Sequence, residues 1–171
     1  SALIKTVPEN KNIEEAYNHL KDIFVKHFQN AMLEVGQYLV GKMYGNYASA
    51  IAYEPKGKKS LAKLVKRIQQ DSQKEGNAPS RTWIYDAINL AIDNHLYKQK
   101  KLPSVYGQLG HSHKVNLTYA PDDDVKKALV EETVKEKYTV AKLRERIREE
   151  RQKLDSTYIP IRKVMPIEHL M

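Results

Sequence analysis

Apolar side chains in the first third of the chain recur at the spacing of an amphipathic helix. Between Ile13 and Met43 they follow one another at steps of three and four residues, which places them on one helical face. They are Ile13, Ala16, Tyr17, Leu20, Ile23, Phe24, Phe28, Ala31, Val35, Tyr38 and Leu39. Gly36 and Gly41 fall in the second half of this stretch, so the pattern predicts either one bent helix or two helices.

The segments that flank this helix are predicted from turn and loop residues. Residues 1–11 are mostly polar and include Pro8, which is typical of an arm or a loop. A short helix is predicted from Tyr44 to Tyr53, and the four residues after it form a turn.

Two capped helices are predicted in the middle of the chain. Ser60 is suited to cap a helix from Leu61 to about Ser72, and Ser80 is suited to cap the next one, which continues to about residue 97. Glycine and proline separate the two helices, so they are joined by a short turn.

The last third predicts further helices. They cover residues 104–109, 111–117, 125–137 and 140–154. Acidic residues at 122–124 favour the start of the third helix through its dipole, and Thr139 caps the fourth. Residues 156–171 predict an extended apolar tail.

These elements predict an all-α fold: a multi-helix domain that contains a helix-turn-helix, a long N-terminal helix and an extended C-terminal tail. We divide the chain into an N-terminal helical region (1–55), a helix-turn-helix DNA-binding region (56–155) and the tail (156–171). A hydrophobic fraction of 41% with 29% charged residues is typical of a globular protein and argues against general disorder.

Composition narrows the function classes. The chain contains no cysteine, which excludes disulfides and thiolate metal sites and favours a reducing compartment. No apolar run approaches the roughly 18 residues of a membrane span, so we expect a soluble cytoplasmic protein without a membrane partner.

Positive charge is concentrated in the middle of the chain. Residues 56–113 hold 11 Lys/Arg and 4 Asp/Glu, whereas the whole chain has a net charge of +8. A confined positive field is what a surface that tracks phosphates needs. The alternative is a basic face that serves only solubility.

The helix that starts at Ser80 is a candidate recognition helix. We expect Ser80, Arg81, Thr82 and Tyr85 at its exposed start, where such helices meet base edges. Arg81 is predicted to pair with guanine. Cations predicted to hold the DNA backbone are Lys58, Lys59, Lys63, Lys66, Arg67, Lys98, Lys100 and Lys101. The alternative is an ordinary capped helix with Arg81 in solvent.

A second set of residues carries a family resemblance. It comprises Leu109, Ser112 and His113, then Tyr138, Thr139, Val140, Leu143 and Ile147, with Glu34-Val35-Gly36 upstream. This pattern resembles a ParB-like helix-turn-helix arrangement and, more closely, the N-terminal domain of YhcG-type bacterial proteins, although Tyr138 stands where that family has tryptophan. The resemblance implies a DNA-associated helical domain and assigns no reaction. In that family a nuclease-like domain follows.

The resemblance implies a different element in the groove, from Gly110 to Lys114. His111, Ser112, His113, Lys114 and Asn116 would then lie near nucleic acid. The choice between the two candidate helices stays open, and both can contact one duplex.

Enzyme chemistry has no support in the pattern. His111 and His113 do not share a helical face, so they make a poor metal pair, and the acids at 122–124 are better explained as helix-starting residues. There is no phosphate-binding glycine loop. We expect no enzymatic activity and no cofactor.

The leading hypothesis is therefore a bacterial DNA-binding protein that recognises duplex DNA in transcription, partition or a mobile element. We expect double-stranded DNA as a partner, together with a homodimer or another protein. One alternative is a protein-interaction module that docks through the helix from Ile13 to Met43 and the tail from Tyr158 to Leu170. A second is the DNA-binding part of a larger nuclease-type protein. A third is RNA binding, although the chain lacks the aromatic sheet motif of common RNA-binding modules.

Overall fold

Helices account for all the regular secondary structure that is described. A computed structural model describes residues 2–53, 59–75 and 79–155. The helices are α1 (Ala2–Leu39), α2 (Tyr47–Tyr53), α3 (Lys59–Glu75), α4 (Arg81–Lys98), α5 (His111–Leu117), α6 (Asp123–Lys135) and α7 (Val140–Leu154). Val40–Tyr44 forms a π-helical turn and Ser104–Gln108 a 3₁₀ turn. The predicted all-α, multi-helix fold is confirmed over these residues, whereas the tail lies outside them.

Two of the predicted helix caps are present, and the one predicted at Ser60 is wrong, because Ser60 lies inside α3, which begins at Lys59. Ser80 Oγ accepts a hydrogen bond from the Trp83 backbone N–H at 3.1 Å, and Thr139 Oγ1 accepts one from the Lys142 N–H at 3.1 Å. Asp122 caps α6 in the same way. Each side chain satisfies a backbone donor that has no partner within its helix, which fixes where α4, α6 and α7 begin.

The arm predicted over residues 1–11 is wrong, because α1 already begins at Ala2. Pro8 removes one backbone hydrogen bond from a helix, but a helix that has formed downstream extends at a lower cost than a new one forms. The regular α-helix ends at Leu39, where the π-helical turn around Gly41 begins.

Gly36 allows α1 and α4 to cross closely. A Cβ atom at position 36 would clash with the carbonyl oxygen of Ala87, and it would lie 2.9 Å from the Ala91 Cβ. α1 is continuous through Gly36, so the helix does not divide into two at this residue. The glycine here serves the close packing of α1 on α4.

Two larger hydrophobic cores and a small cluster of Met32, Ala87 and Leu90 meet along α4. The first combines the end of α1 with α2, α3 and α4, and Leu61, Val65, Ile84 and Ile88 are buried in it. The second lies between the 3₁₀ turn and helices α5, α6 and α7. Leu96, near the end of α4, packs against both cores. α4 is therefore the central element, and its two ends are the parts left near solvent.

A buried ion pair joins α4 to α6. Lys126 Nζ donates a hydrogen bond to Asp93 Oδ1 at 2.7 Å, and the side chains are 10% and 2% exposed. Burial raises the pKa of Asp93, while the charge and hydrogen bond of Lys126 oppose that rise. Each charge therefore depends on the other for compensation.

None of the described helices combines the length and the apolar composition needed to cross a membrane.

Candidate nucleic-acid interface

α3 presents cations on the side opposite its buried face. Lys59, Lys63 and Lys66 follow at steps of four and three residues and are exposed, while Leu61 and Val65 are buried. Arg67 is exposed as well, beside this row. These predicted backbone-contacting residues are therefore accessible on one helix, whereas Lys58 lies outside the described residues.

The first turn of α4 is exposed at three successive predicted positions. Ser80, Arg81 and Thr82 are all accessible to solvent. The expectation that Tyr85 also lies exposed is wrong, because only 4% of it is exposed. One turn into α4 the helix is already surrounded by its neighbours, and Tyr85 belongs to the first core together with Ile88.

Tyr85 nevertheless contacts Arg81. The guanidinium carbon of Arg81 lies 5.4 Å from the centroid of the Tyr85 ring, within the range of a cation–π interaction. This contact restrains the guanidinium group of Arg81 at the first turn of α4. The buried Tyr85 ring thus helps to position Arg81, a candidate binding residue.

A cleft of about 520 Å³ brings Arg81 together with Arg151 of α7. We call it the Arg81–Arg151 cleft. Its lining residues are Arg81, Thr82, Tyr85, Asp86, Asn89, Thr118, Tyr119 and Arg151. Two guanidinium groups from different helices at one cleft form a site suited to anionic oxygen atoms, because each guanidinium offers several donors in a fixed plane.

Hydrogen bonds fix one wall of this cleft. The Tyr119 hydroxyl donates to Asp86 Oδ1 at 2.5 Å, and Arg151 Nε donates to the Tyr119 carbonyl oxygen at 2.8 Å. Burial and the hydrogen bond to Asp86 raise the pKa of Tyr119 to about 12. The hydroxyl therefore remains a donor at neutral pH. It engages one oxygen of Asp86, the only acidic residue among the described residues that line the cleft.

α7 carries three exposed arginines along one edge. Arg144, Arg148 and Arg151 are separated by four and three residues, so they lie on the same side of the helix. Arg144 Nε donates to Asn116 Oδ1 at 2.9 Å, which directs this edge toward α5. We call these three residues the arginine edge. It continues the positive charge of the Arg81–Arg151 cleft along α7.

Arg146, on the other side of α7, has a different role. It forms ion pairs with Glu132, Glu149 and Glu150 at 2.9, 2.7 and 3.2 Å. The hydrogen bonds that Arg146 donates, first to Glu132 and then to Glu149, raise its pKa. By contrast, no ion pair involves Arg148 within the described part of the chain. α7 thus carries Arg146, whose charge is neutralised by ion pairs, on one side. On the other side lies the arginine edge, which forms no ion pair within the described residues.

The basic residues at the C-terminal end of α4 and just after it lie away from this cleft. Lys98, Lys100 and Lys101 are exposed at the opposite end of α4. Seventeen residues of helix separate Lys98 from Arg81, which corresponds to about 26 Å. Lys100 and Lys101 line another cleft, of about 750 Å³, together with Asp123 and Glu131. They contribute to a second surface of mixed charge.

Most of the predicted contact residues of α5 are partly buried and interact with neighbouring parts of the protein. The ring of His113 forms a hydrogen bond through Nε2 with the Tyr138 carbonyl oxygen at 2.7 Å. Lys114 lies with Nζ 5.1 Å from the centroid of the Tyr106 ring, and burial lowers its pKa. Burial and, secondly, Lys114 lower the pKa of His111. Of His111, Ser112, His113 and Lys114, only Ser112 is exposed.

Sequence reasoning missed the arginine edge. Its spacing of four and three residues is visible in the sequence, but acidic residues interleave with it. The net charge of the last third therefore stays low. It does not reveal that exposed arginines lie on one side of α7 and ion-paired residues on the other. Thr118 and Tyr119 carry no local signal, since only the fold brings them to the cleft.

Comparisons with known proteins add no identification. No family model, no curated protein and no solved structure matches the chain. Within the described residues, no group of three or more His, Asp or Glu side chains is placed to hold a metal ion.

Proposed function

We propose that this protein binds duplex DNA, with the first turn of α4 directed at base edges and the arginine edge on the phosphate backbone. The observation that carries the proposal is the Arg81–Arg151 cleft, which joins an exposed helix start to a row of arginines from α7. Phosphate contacts position a protein on DNA, and base contacts at a helix N-terminus give sequence preference.

The surroundings of the two candidate helices favour α4 over α5 as the recognition element. Ser80, Arg81 and Thr82 are exposed in succession, so a groove can be reached without rearrangement. In α5, His113 and Lys114 are engaged with neighbouring parts of the protein. Contact with a base would require those interactions to break, whereas Arg81 needs only to leave its position over the Tyr85 ring.

The row of lysines on α3 supplies a second set of charges. α3 precedes α4 and packs against it through the first core. In a helix-turn-helix the first helix crosses the DNA backbone, and Lys59, Lys63 and Lys66 are suited to that role. The resemblance to YhcG-type N-terminal domains supports DNA binding, and membership of that family forms part of the proposal, but the resemblance points to α5 and not to α4 as the element in the groove.

A binding titration with three variants tests the assignment. A preferred sequence is first selected from random duplexes, and fluorescence anisotropy then measures affinity for that duplex and for a random one. Arg81→Ala should weaken binding to the selected duplex by about 1–3 kcal/mol and affect the random duplex less. Arg148→Ala should weaken both equally and lower the salt slope by about 0.9.

Lys142→Ala is the matched control. It also removes one positive charge from α7, but Lys142 lies off the arginine edge and pairs with Glu145 at 3.6 Å. We expect its affinity to stay within about twofold of the wild type. Equal effects of Lys142→Ala and Arg148→Ala would show that only net charge matters and would refute the assigned surface.

A further inference from the structure

α1 carries a row of exposed apolar side chains that nothing in the described structure covers. Ile13, Tyr17, Leu20, Phe24 and Phe28 follow at steps of four and three residues and are 62%, 60%, 49%, 55% and 69% exposed. We call them the α1 seam. It lies roughly a quarter of a turn around the helix from the face that packs on α4.

The area of the α1 seam is sufficient for a specific interface. At the exposures given above, its three aromatic and two aliphatic side chains present about 450 Å² in each copy. Ala16, Ile23 and His27 flank the seam on the same side of α1 and add to this area. Two copies thus reach the roughly 1,000 Å² that a specific protein interface needs.

We propose that the α1 seam pairs with the seam of a second copy of this chain in an antiparallel two-helix arrangement. In that register Ile13 faces Phe24 of the second copy, and Tyr17 faces Leu20 of the second copy. Each of the four layers formed by Ile13, Tyr17, Leu20 and Phe24 then combines one aromatic with one aliphatic side chain, so these layers have similar size, while Phe28 lies beyond them. A parallel pair would set Tyr17 against Tyr17 and Ile13 against Ile13, in layers of unequal size.

This self-complementarity identifies a second copy as the occupant. Steps of four and three residues are the spacing that brings apolar side chains of two helices into one contact line. In an antiparallel pair, Ile13, Tyr17, Leu20 and Phe24 of one copy meet Phe24, Leu20, Tyr17 and Ile13 of the other, so a single register serves four successive layers. The inference goes beyond DNA binding and does not depend on it.

The mass of the 171-residue chain in solution tests the pairing. Light scattering after size exclusion should give about twice 19.8 kDa for the wild type. Phe24→Glu places a charge in the seam and should yield a monomer, and it should keep its helical content because Phe24 is exposed in the single chain. Asn18→Glu, about a third of a turn from the seam, is the matched control and should remain a dimer. A monomeric wild type, or a Phe24→Glu variant that stays dimeric, would overturn the proposal.

Cross-linking tests the direction of the helices. The chain has no cysteine of its own, so Ile13→Cys and Phe24→Cys each introduce a single thiol. In the antiparallel pair, two copies of the same variant hold their thiols about 16 Å apart along the helix, beyond the reach of a disulfide. A mixture of the two variants should form a covalent dimer under oxidation, and each variant alone should not. Covalent dimers from either variant alone would contradict the antiparallel register.

Discussion

Replacing Lys126 by methionine isolates the buried ion pair that ties α4 to α6. The substitution keeps an unbranched chain of similar length but removes the ammonium group, which lies 2.7 Å from Asp93 Oδ1. Asp93 is 2% exposed, and its other carboxylate oxygen has no hydrogen-bond partner among the described residues. An uncompensated buried charge of this kind costs about 3–5 kcal/mol. We expect Lys126→Met to lower the free energy of unfolding by that amount.

The dependence of this loss on pH provides an internal check. Burial already raises the pKa of Asp93, and removal of Lys126 raises it further. An acid whose folded pKa exceeds its unfolded value binds more protons in the folded state, so the folded state gains stability as pH falls through the folded pKa. The deficit of Lys126→Met should therefore shrink between pH 7 and pH 5.

Urea unfolding followed by circular dichroism gives the required free energies. Asp93→Asn removes the negative charge at similar volume, and the double variant removes both charges. The double variant should lose less than the sum of the two single losses, because neither charge is then left alone. A Lys126→Met loss below about 1 kcal/mol, or strictly additive losses, would refute the reasoning.

Three further perturbations follow from local geometry. Gly36→Ala should cost about 3 kcal/mol in urea unfolding because its Cβ would clash with the Ala87 carbonyl oxygen, while Gly41→Ala, which meets no atom within 4 Å, should be neutral or stabilising. Lys137→Gly should add about 0.5 kcal/mol, since φ is 52° at this position, and a lower melting temperature would contradict that. His111 has a lowered pKa, so the unfolded state binds its proton first and the protein loses stability as pH falls below about 6.5. His111→Gln should reduce the drop in urea midpoint between pH 7.5 and 5.5, and an unchanged drop would exclude His111 as its source.

Short-range features were the predictable part of the fold. The caps at Ser80 and Thr139 each involve a backbone N–H three residues away, so residue type and spacing are enough to locate them. The start of α1 was mistaken because the effect of one proline depends on the helix that follows it. Gly36 was interpreted as a point of bending because its actual neighbour, Ala87, lies on another helix.

In the candidate site, too, local features could be predicted from the sequence, whereas those that depend on packing between distant helices could not. The exposure of Arg81 follows from its place in the first turn of a capped helix, whereas the burial of Tyr85 depends on which helices surround α4. Arg151 lies seventy positions after Arg81, and only the packing of α7 beside α5 brings both to one cleft. No local pattern contains that information.

The dependence of DNA affinity on salt tests the central claim most directly. A fluorescent duplex of about 30 base pairs would be titrated with the wild-type protein at 50 and 200 mM salt. About five cations on phosphates give a slope near −4.5, so the affinity should fall by about 500-fold between the two conditions. No binding at 50 mM salt, or a fall of less than about tenfold, would contradict the proposed DNA-binding surface.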